Sequence, residues 1–355
     1  MSFVEKNPPA AEMETGYDMW FGTKEGRQIL KHLACVCLAS LSFTASLPFI
    51  CWARGPSLPG VFETTKENMS NAFPIEISMD RWADYMDIAV PIFSMVVLYF
   101  SLSLVLKSND FGPVCCNPEV HPPRFYLTWP VICVTHIGGL FLWDRGEILQ
   151  AFCLRMFPPM LGFYMLSVSY TNLQRYRPWL HITSSRLAWF TYYTTQNSLA
   201  VSAWWSLIEA LINLGVVLKY TIGLQDPLVS CVVLTLLFLA MLLWFILETF
   251  VFMNYIHKTF TVYPVIIVGL GAMFTRGYLF HDMAPSTIYC GFLMLVATAM
   301  NCVMLCRQCC DSRLQSSDST LKLASSMPEH CPSVSQTVDR LGMQGGHKEY
   351  GVRVQ

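Results

Sequence analysis

The chain has 355 residues, 54% of them apolar and 13% charged, with 23 Lys and Arg against 24 Asp and Glu. Soluble domains carry about 25% charged residues, disordered chains pair low hydrophobicity with high charge, and nucleic-acid binders show a basic surplus. None of these fits, and what remains is an all-α, polytopic membrane helix bundle that meets a lipid bilayer and no nucleic acid.

Residues 1–31 are polar and carry both signs of charge. A cleaved signal would place its apolar core earlier in the chain, so the first apolar stretch reads as a retained helix. The bilayer requires about 20 mostly apolar residues per crossing helix. Eight stretches qualify, at 33–52, 86–106, 126–143, 148–169, 198–218, 228–253, 261–278 and 286–306. The third is the shortest, and the seventh contains Pro264, Gly269 and Gly271. The chain thus divides into an N-terminal segment, a bundle at 32–306 with a long loop at 53–85, and a tail at 307–355. The tail is rich in Ser and poor in large apolar residues, the composition of a disordered segment.

Orientation follows from Lys and Arg beside the spans. With the N-terminus inside, sixteen fall on inner segments and six on outer ones, and Arg155 lies within the fourth span. Both termini are therefore expected in the cytoplasm. Asn68-Met69-Ser70 is an N-glycosylation sequon, and it falls in the loop this topology places outside. The plasma membrane fits better than an internal one. Cys306, Cys309 and Cys310 follow the last span on the inner side, where such thiols are palmitoylation candidates. A metal site would need more ligands than Cys306-Arg-Gln-Cys309 supplies.

The most informative segment is the fifth span. Thr191, Thr195, Ser198, Ser202, Ser206, Glu209 and Asn213 are spaced 4, 3, 4, 4, 3 and 4 residues apart. That repeat puts them on one helix face. Such a stripe avoids lipid. It forms either a hydrogen-bonded seam between helices or the wall of an aqueous path. Glu209 speaks against a pure seam, because an ionisable group at mid-depth needs a partner or water.

Depth arithmetic at about 1.5 Å per residue places Glu209 about 14 Å and Arg155 about 10 Å below the outer face. His136 in the third span lies at a similar depth, and Asp87 lies at the outer mouth of the second. These four are the expected intramembrane polar cluster. The reading is either an ion pair that fixes packing or a solute, ion or proton site. Glu248, near the inner end of the sixth span beside His257 and Lys258, reads as an ordinary interfacial carboxylate. Pro158-Pro159 and Pro264 with Gly269 and Gly271 would kink or break the fourth and seventh helices.

No nucleotide, zinc-hydrolase or serine-hydrolase motif is present, and no histidine box. No catalysis and no cofactor is expected. Two functions stay open. One is a transporter or channel-like protein with a polar path along the fifth helix for a small solute or ion. The other is a non-transporting signalling or scaffold subunit, homo- or hetero-oligomeric, whose stripe is a seam and whose palmitoylated tail binds partners.

Overall fold

The computed structural model describes residues 24–53, 61–64, 66–109, 112–113, 119–183, 185–251, 259–281 and 284–326. Eight helices are long and apolar enough to cross a membrane. They are Gly26–Trp52, Arg81–Val105, Pro123–Asp144, Ile148–Tyr176, Leu187–Tyr220, Asp226–Phe250, Val262–Leu279 and Pro285–Cys310, called here the first to eighth spans. The chain is a multi-pass membrane protein. Among the described residues the only extended pairing is Ser108–Asn109 with Gly112–Pro113. Leu41, Val134, Phe250 and Leu295 are mostly exposed, as side chains facing lipid must be.

The two spans in doubt on sequence grounds are continuous. The third is unbroken from Pro123 to Asp144: its opening proline needs no helical donor in the first turn, and the helix runs on through Pro130. The seventh runs unbroken from Val262 to His281. Pro264 lies in its first turn, where the missing N–H costs nothing. Gly269 serves packing instead, since a Cβ there would come within 2.7 Å of Ile208 in the fifth span. The expected break occurs in the fourth span, which divides at Met156 into Ile148–Arg155 and Phe157–Thr183. Pro158 and Pro159 have no N–H to return to the carbonyls of Leu154 and Arg155.

The fifth span is the most buried of the eight and packs against the second, fourth, sixth and seventh. It enters as Ser185–Phe190, widens into a π turn at Thr191–Gln196, and continues as a regular helix over Asn197–Tyr220. Gly162 lets the fourth span approach closely, because a Cβ there would lie 2.9 Å from that of Ala203. The helix of the eighth span continues beyond Cys306 as far as Ser326, where the sequence reading begins a disordered tail at Arg307. Residues 327–355 lie outside the described residues.

The segment between the first two spans folds back over the bundle. It contains a short helix, Lys66–Ala72, and a 3-10 turn, Arg81–Tyr85, that leads into the second span. Its start is held by Asp144 at the end of the third span. That carboxylate accepts the amides of Glu63 (2.9 Å) and Thr64 (2.8 Å) and the Thr64 hydroxyl (2.7 Å).

Candidate functional site

A cavity of about 610 Å³ opens at the loop end of the bundle. Its roof is residues 70–84, and its floor comes from the second, third, fourth and fifth spans. The roof is tied down by the helices around it. The Lys219 ammonium and the Tyr220 hydroxyl both donate to the Pro74 carbonyl, at 2.6 and 3.0 Å. The Arg276 guanidinium donates to the Met79 carbonyl at 3.2 Å. The Asp80 amide donates to the Ala272 carbonyl at 3.1 Å, and the Trp82 indole to Thr275 at 3.1 Å. The seventh span therefore supplies three of the five tethers.

Asp87, Arg155 and Glu209, which come from three different spans, all line this cavity, and Asn213 of the stripe joins them. Arg155 is 8% exposed, with its guanidinium carbon 5.6 Å from the centroid of the Trp143 ring. Two local features put it there. The helix break at Met156 ends the first part of the fourth span on Arg155 itself. Gly139 of the third span clears its path, since a Cβ at that position would lie 3.0 Å from the Arg155 Cγ. Asp80, Asp84, Arg81 and Arg276 add further charges of both signs around the mouth. Sequence reasoning counted these as loop and flank residues. Only the fold-back of the loop makes them part of the site.

His136 does not face the large cavity. It lines a second chamber of about 90 Å³, together with Ser202 and Ser206 of the stripe and Ser94 of the second span. Asp87, Trp205 and Glu209 line both spaces and form the wall between them. Within that wall the Trp205 indole N–H donates to Asp87 Oδ1 at 2.7 Å, and both residues are buried. Trp205 is the main site residue that the sequence did not single out. It neighbours Ser206 in the chain, but an aromatic beside a polar stripe is an ordinary packing residue.

The stripe therefore has two halves. Ser202, Ser206, Glu209 and Asn213 line the two spaces, whereas Thr191, Thr195 and Ser198 are buried in protein. The π turn at Thr191–Gln196 holds Thr191 and Thr195 and turns them off the face that follows, because an extra residue in one turn rotates that face by about 100°, whereas Ser198 lies beyond it on the regular helix Asn197–Tyr220. Asn197 at the end of the turn joins the fifth span to the start of the seventh. Its side-chain oxygen accepts the Phe260 amide (3.0 Å) and the Thr261 hydroxyl (3.0 Å), and its amide donates to the Tyr192 and Tyr193 carbonyls (3.1 Å each).

Glu248 departs from its sequence reading. It is 4% exposed and accepts the Tyr263 hydroxyl at 3.0 Å. It is thus a buried carboxylate between the sixth and seventh spans and not an interfacial one. Its expected neighbours His257 and Lys258 lie outside the described residues.

Asn68 is exposed on the helix Lys66–Ala72. Cys306, Cys309 and Cys310 are all exposed free thiols. Comparison with protein-family models, with curated proteins and with solved structures finds no match to this chain.

Proposed function

We propose that the protein is a transporter or channel-like protein for a small polar solute or ion, with its path beginning in the large cavity and following the fifth span. One observation carries this reading. Three intramembrane charged residues from three spans, Asp87, Arg155 and Glu209, line a single cavity, and the costs of placing them in a membrane are met by a polar, hydratable space. About 610 Å³ is within the usual range of small-molecule sites, about 300–1,000 Å³. Charges of both signs around it suit a solute that carries both. In this reading the mouth faces outside and both termini lie in the cytoplasm, which the Lys and Arg distribution supports, and the membrane is the plasma membrane. In the same topology Asn68 is a candidate for a glycan and the three thiols are candidates for palmitoylation. The reading assigns neither catalysis nor a cofactor.

The test is single replacement of Ser198, Ser202, Ser206 and Asn213 by Cys in a background cleared of reactive native thiols. A charged thiol reagent is expected to label positions 213 and 206 from outside, and position 198 only when added from inside. Failure of every position to label from either side ends the path reading. Loss of a gel shift on Asn68→Gln checks the sidedness.

The buried inner half of the stripe favours a second reading. Thr191, Thr195 and Ser198 make a helix seam there, as in a signalling or scaffold subunit whose cavity is an outward ligand pocket. Under that reading position 198 never labels, and Glu209→Gln lowers folding yield and surface level instead of flux.

A further inference from the structure

Sequence and structure disagree about the fifth span at one place. The spacing of Thr191, Thr195, Ser198, Ser202, Ser206, Glu209 and Asn213 is that of an uninterrupted α-helix. At about 100° per residue all seven fall within an arc of about 80°. The π turn at Thr191–Gln196 sets the first two about 100° away from the rest. The chain therefore encodes a longer polar face than this conformation presents. A π turn differs from an α turn by one residue of hydrogen-bond register. Its conversion to α-helix would turn the preceding segment, Ser185–Phe190, by about 100° and bring Thr191 and Thr195 into line with Ser202 and Ser206.

Asn197 holds the π form. Its side-chain amide donates to the carbonyls of Tyr192 and Tyr193, five and four residues back, at 3.1 Å each. In an α-helix those carbonyls take the backbone N–H groups of Gln196 and Asn197 instead. The Asn197 side-chain oxygen accepts from Phe260 and Thr261, so the start of the seventh span fixes the clamp. The π form also has a cost. Gln196 is 1% exposed, and neither its Nε2 nor its Oε1 has a partner. No other side chain among the described residues has two such atoms. The Thr191 hydroxyl, in the same turn, is buried without a partner as well. Unmet buried polar groups destabilise the conformation that buries them, and costs of this kind concentrate in segments that switch.

We propose that the turn Thr191–Gln196 is a gate in the fifth span, at the end away from the roofed cavity. In its π form it interrupts the polar face and keeps that end shut. On release of Asn197 it becomes α-helical, completes the face from Thr191 to Asn213 and opens that end. That the face conducts a solute rests on the path reading above; the change of helical form does not.

The experiment uses the full chain in nanodiscs, cleared of reactive native thiols, with a nitroxide on Trp189→Cys, an exposed position just ahead of the turn. Distances are measured to a second nitroxide on Leu127→Cys of the third span or, separately, on Leu239→Cys of the sixth, both exposed. A rotation hidden along one line then shows along the other. Turning by about 100° moves a side chain at the helix surface by about 8 Å. Deletion of Tyr193, the exposed residue of the turn, removes the extra residue, leaves both flanks in their present register and locks the shut form. Asn197→Asp keeps the acceptor for the seventh span and loses both N–H donors to the turn. It is expected to raise the α population about tenfold, the equivalent of one hydrogen bond at about 1.4 kcal/mol. The parent chain should show two distances, the second enriched in Asn197→Asp and absent after the deletion. One distance common to all three, or two that survive the deletion, would overturn the proposal; if Asn197→Asp does not fold, parent against deletion decides. An inside reagent should label Ser198→Cys at least tenfold more slowly after the deletion, and equal rates would overturn the gate. If position 198 labels in neither chain while the distances behave as expected, the solute path fails and the conversion stands.

Discussion

His121 shows how a single side chain ties this fold to pH. It lies just ahead of the third span, 8% exposed, with one ring face on Phe125 and its Nε2 3.3 Å from the Ser169 hydroxyl. Its backbone carbonyl accepts the His32 ring N–H at 3.0 Å. Burial, and secondarily the proximity of His32, pushes its pKa from 6.5 down to about 4. The folded protein holds it neutral, while the unfolded chain protonates it first. Stability from this group is full above pH 6.5 and is lost as pH falls towards 4, by up to about 3 kcal/mol at 1.36 kcal/mol per unit. Melting temperatures measured from pH 7.5 to 4.5 should fall in the wild type and fall less in His121→Phe. At another buried ionisable site, Tyr263→Phe takes a hydrogen-bond donor from the enclosed Glu248. A loss of about 1–3 kcal/mol in unfolding free energy is expected. A change of only a few tenths would mean that the carboxylate reaches solvent.

Helix positions were legible because a run of about 20 apolar residues seldom serves any purpose but crossing a membrane. Each observed span overlaps its expected stretch, and the ends differ by at most a few turns. The Pro158-Pro159 break was legible as well, since two missing donors in succession cannot be absorbed by a regular helix. Other features were hidden for physical reasons. The harmlessness of Pro264 depends on where its helix begins, and hydropathy does not locate a first turn. A π turn moves Thr191 and Thr195 off the stripe, while the spacing argument assumes 3.6 residues per turn throughout. Depth matching brought Asp87, Arg155 and Glu209 to one level, but only the packing order of the helices separates His136 from Arg155 by the Asp87–Trp205–Glu209 wall. Glycine roles also need the neighbour. Gly162→Ala would set its Cβ 2.9 Å from the Ala203 Cβ and 3.2 Å from its Cα, so a destabilisation of about 1–3 kcal/mol is expected. Gly271→Ala meets nothing nearer than Trp82 at 3.9 Å and should be neutral or stabilising. Parallel melts of the two variants check this contrast.

At the scale of the whole molecule, the loop over the cavity is held by hydrogen bonds from several spans and by its own short helix. Removing both donors to the Pro74 carbonyl with Lys219→Met and Tyr220→Phe should raise deuterium uptake across residues 73–80 while leaving the interiors of the spans unchanged. Equal uptake in variant and wild type would mean that the tethers from the seventh span hold the loop alone. The way these tethers attach has an evolutionary consequence. Four of the five meet the main chain of the loop, at the carbonyls of Pro74 and Met79 and the amide of Asp80. Every residue has a carbonyl, and every residue but proline an amide, so exchanging the partly exposed side chains of Met79 and Asp80 leaves these tethers in place, while Ile75, Ile77 and Ser78 are buried and fixed by packing. Descendants of this protein can thus change what the mouth attracts while keeping the mechanics of its closure, and libraries confined to positions 79 and 80 should yield many folded variants with altered preference.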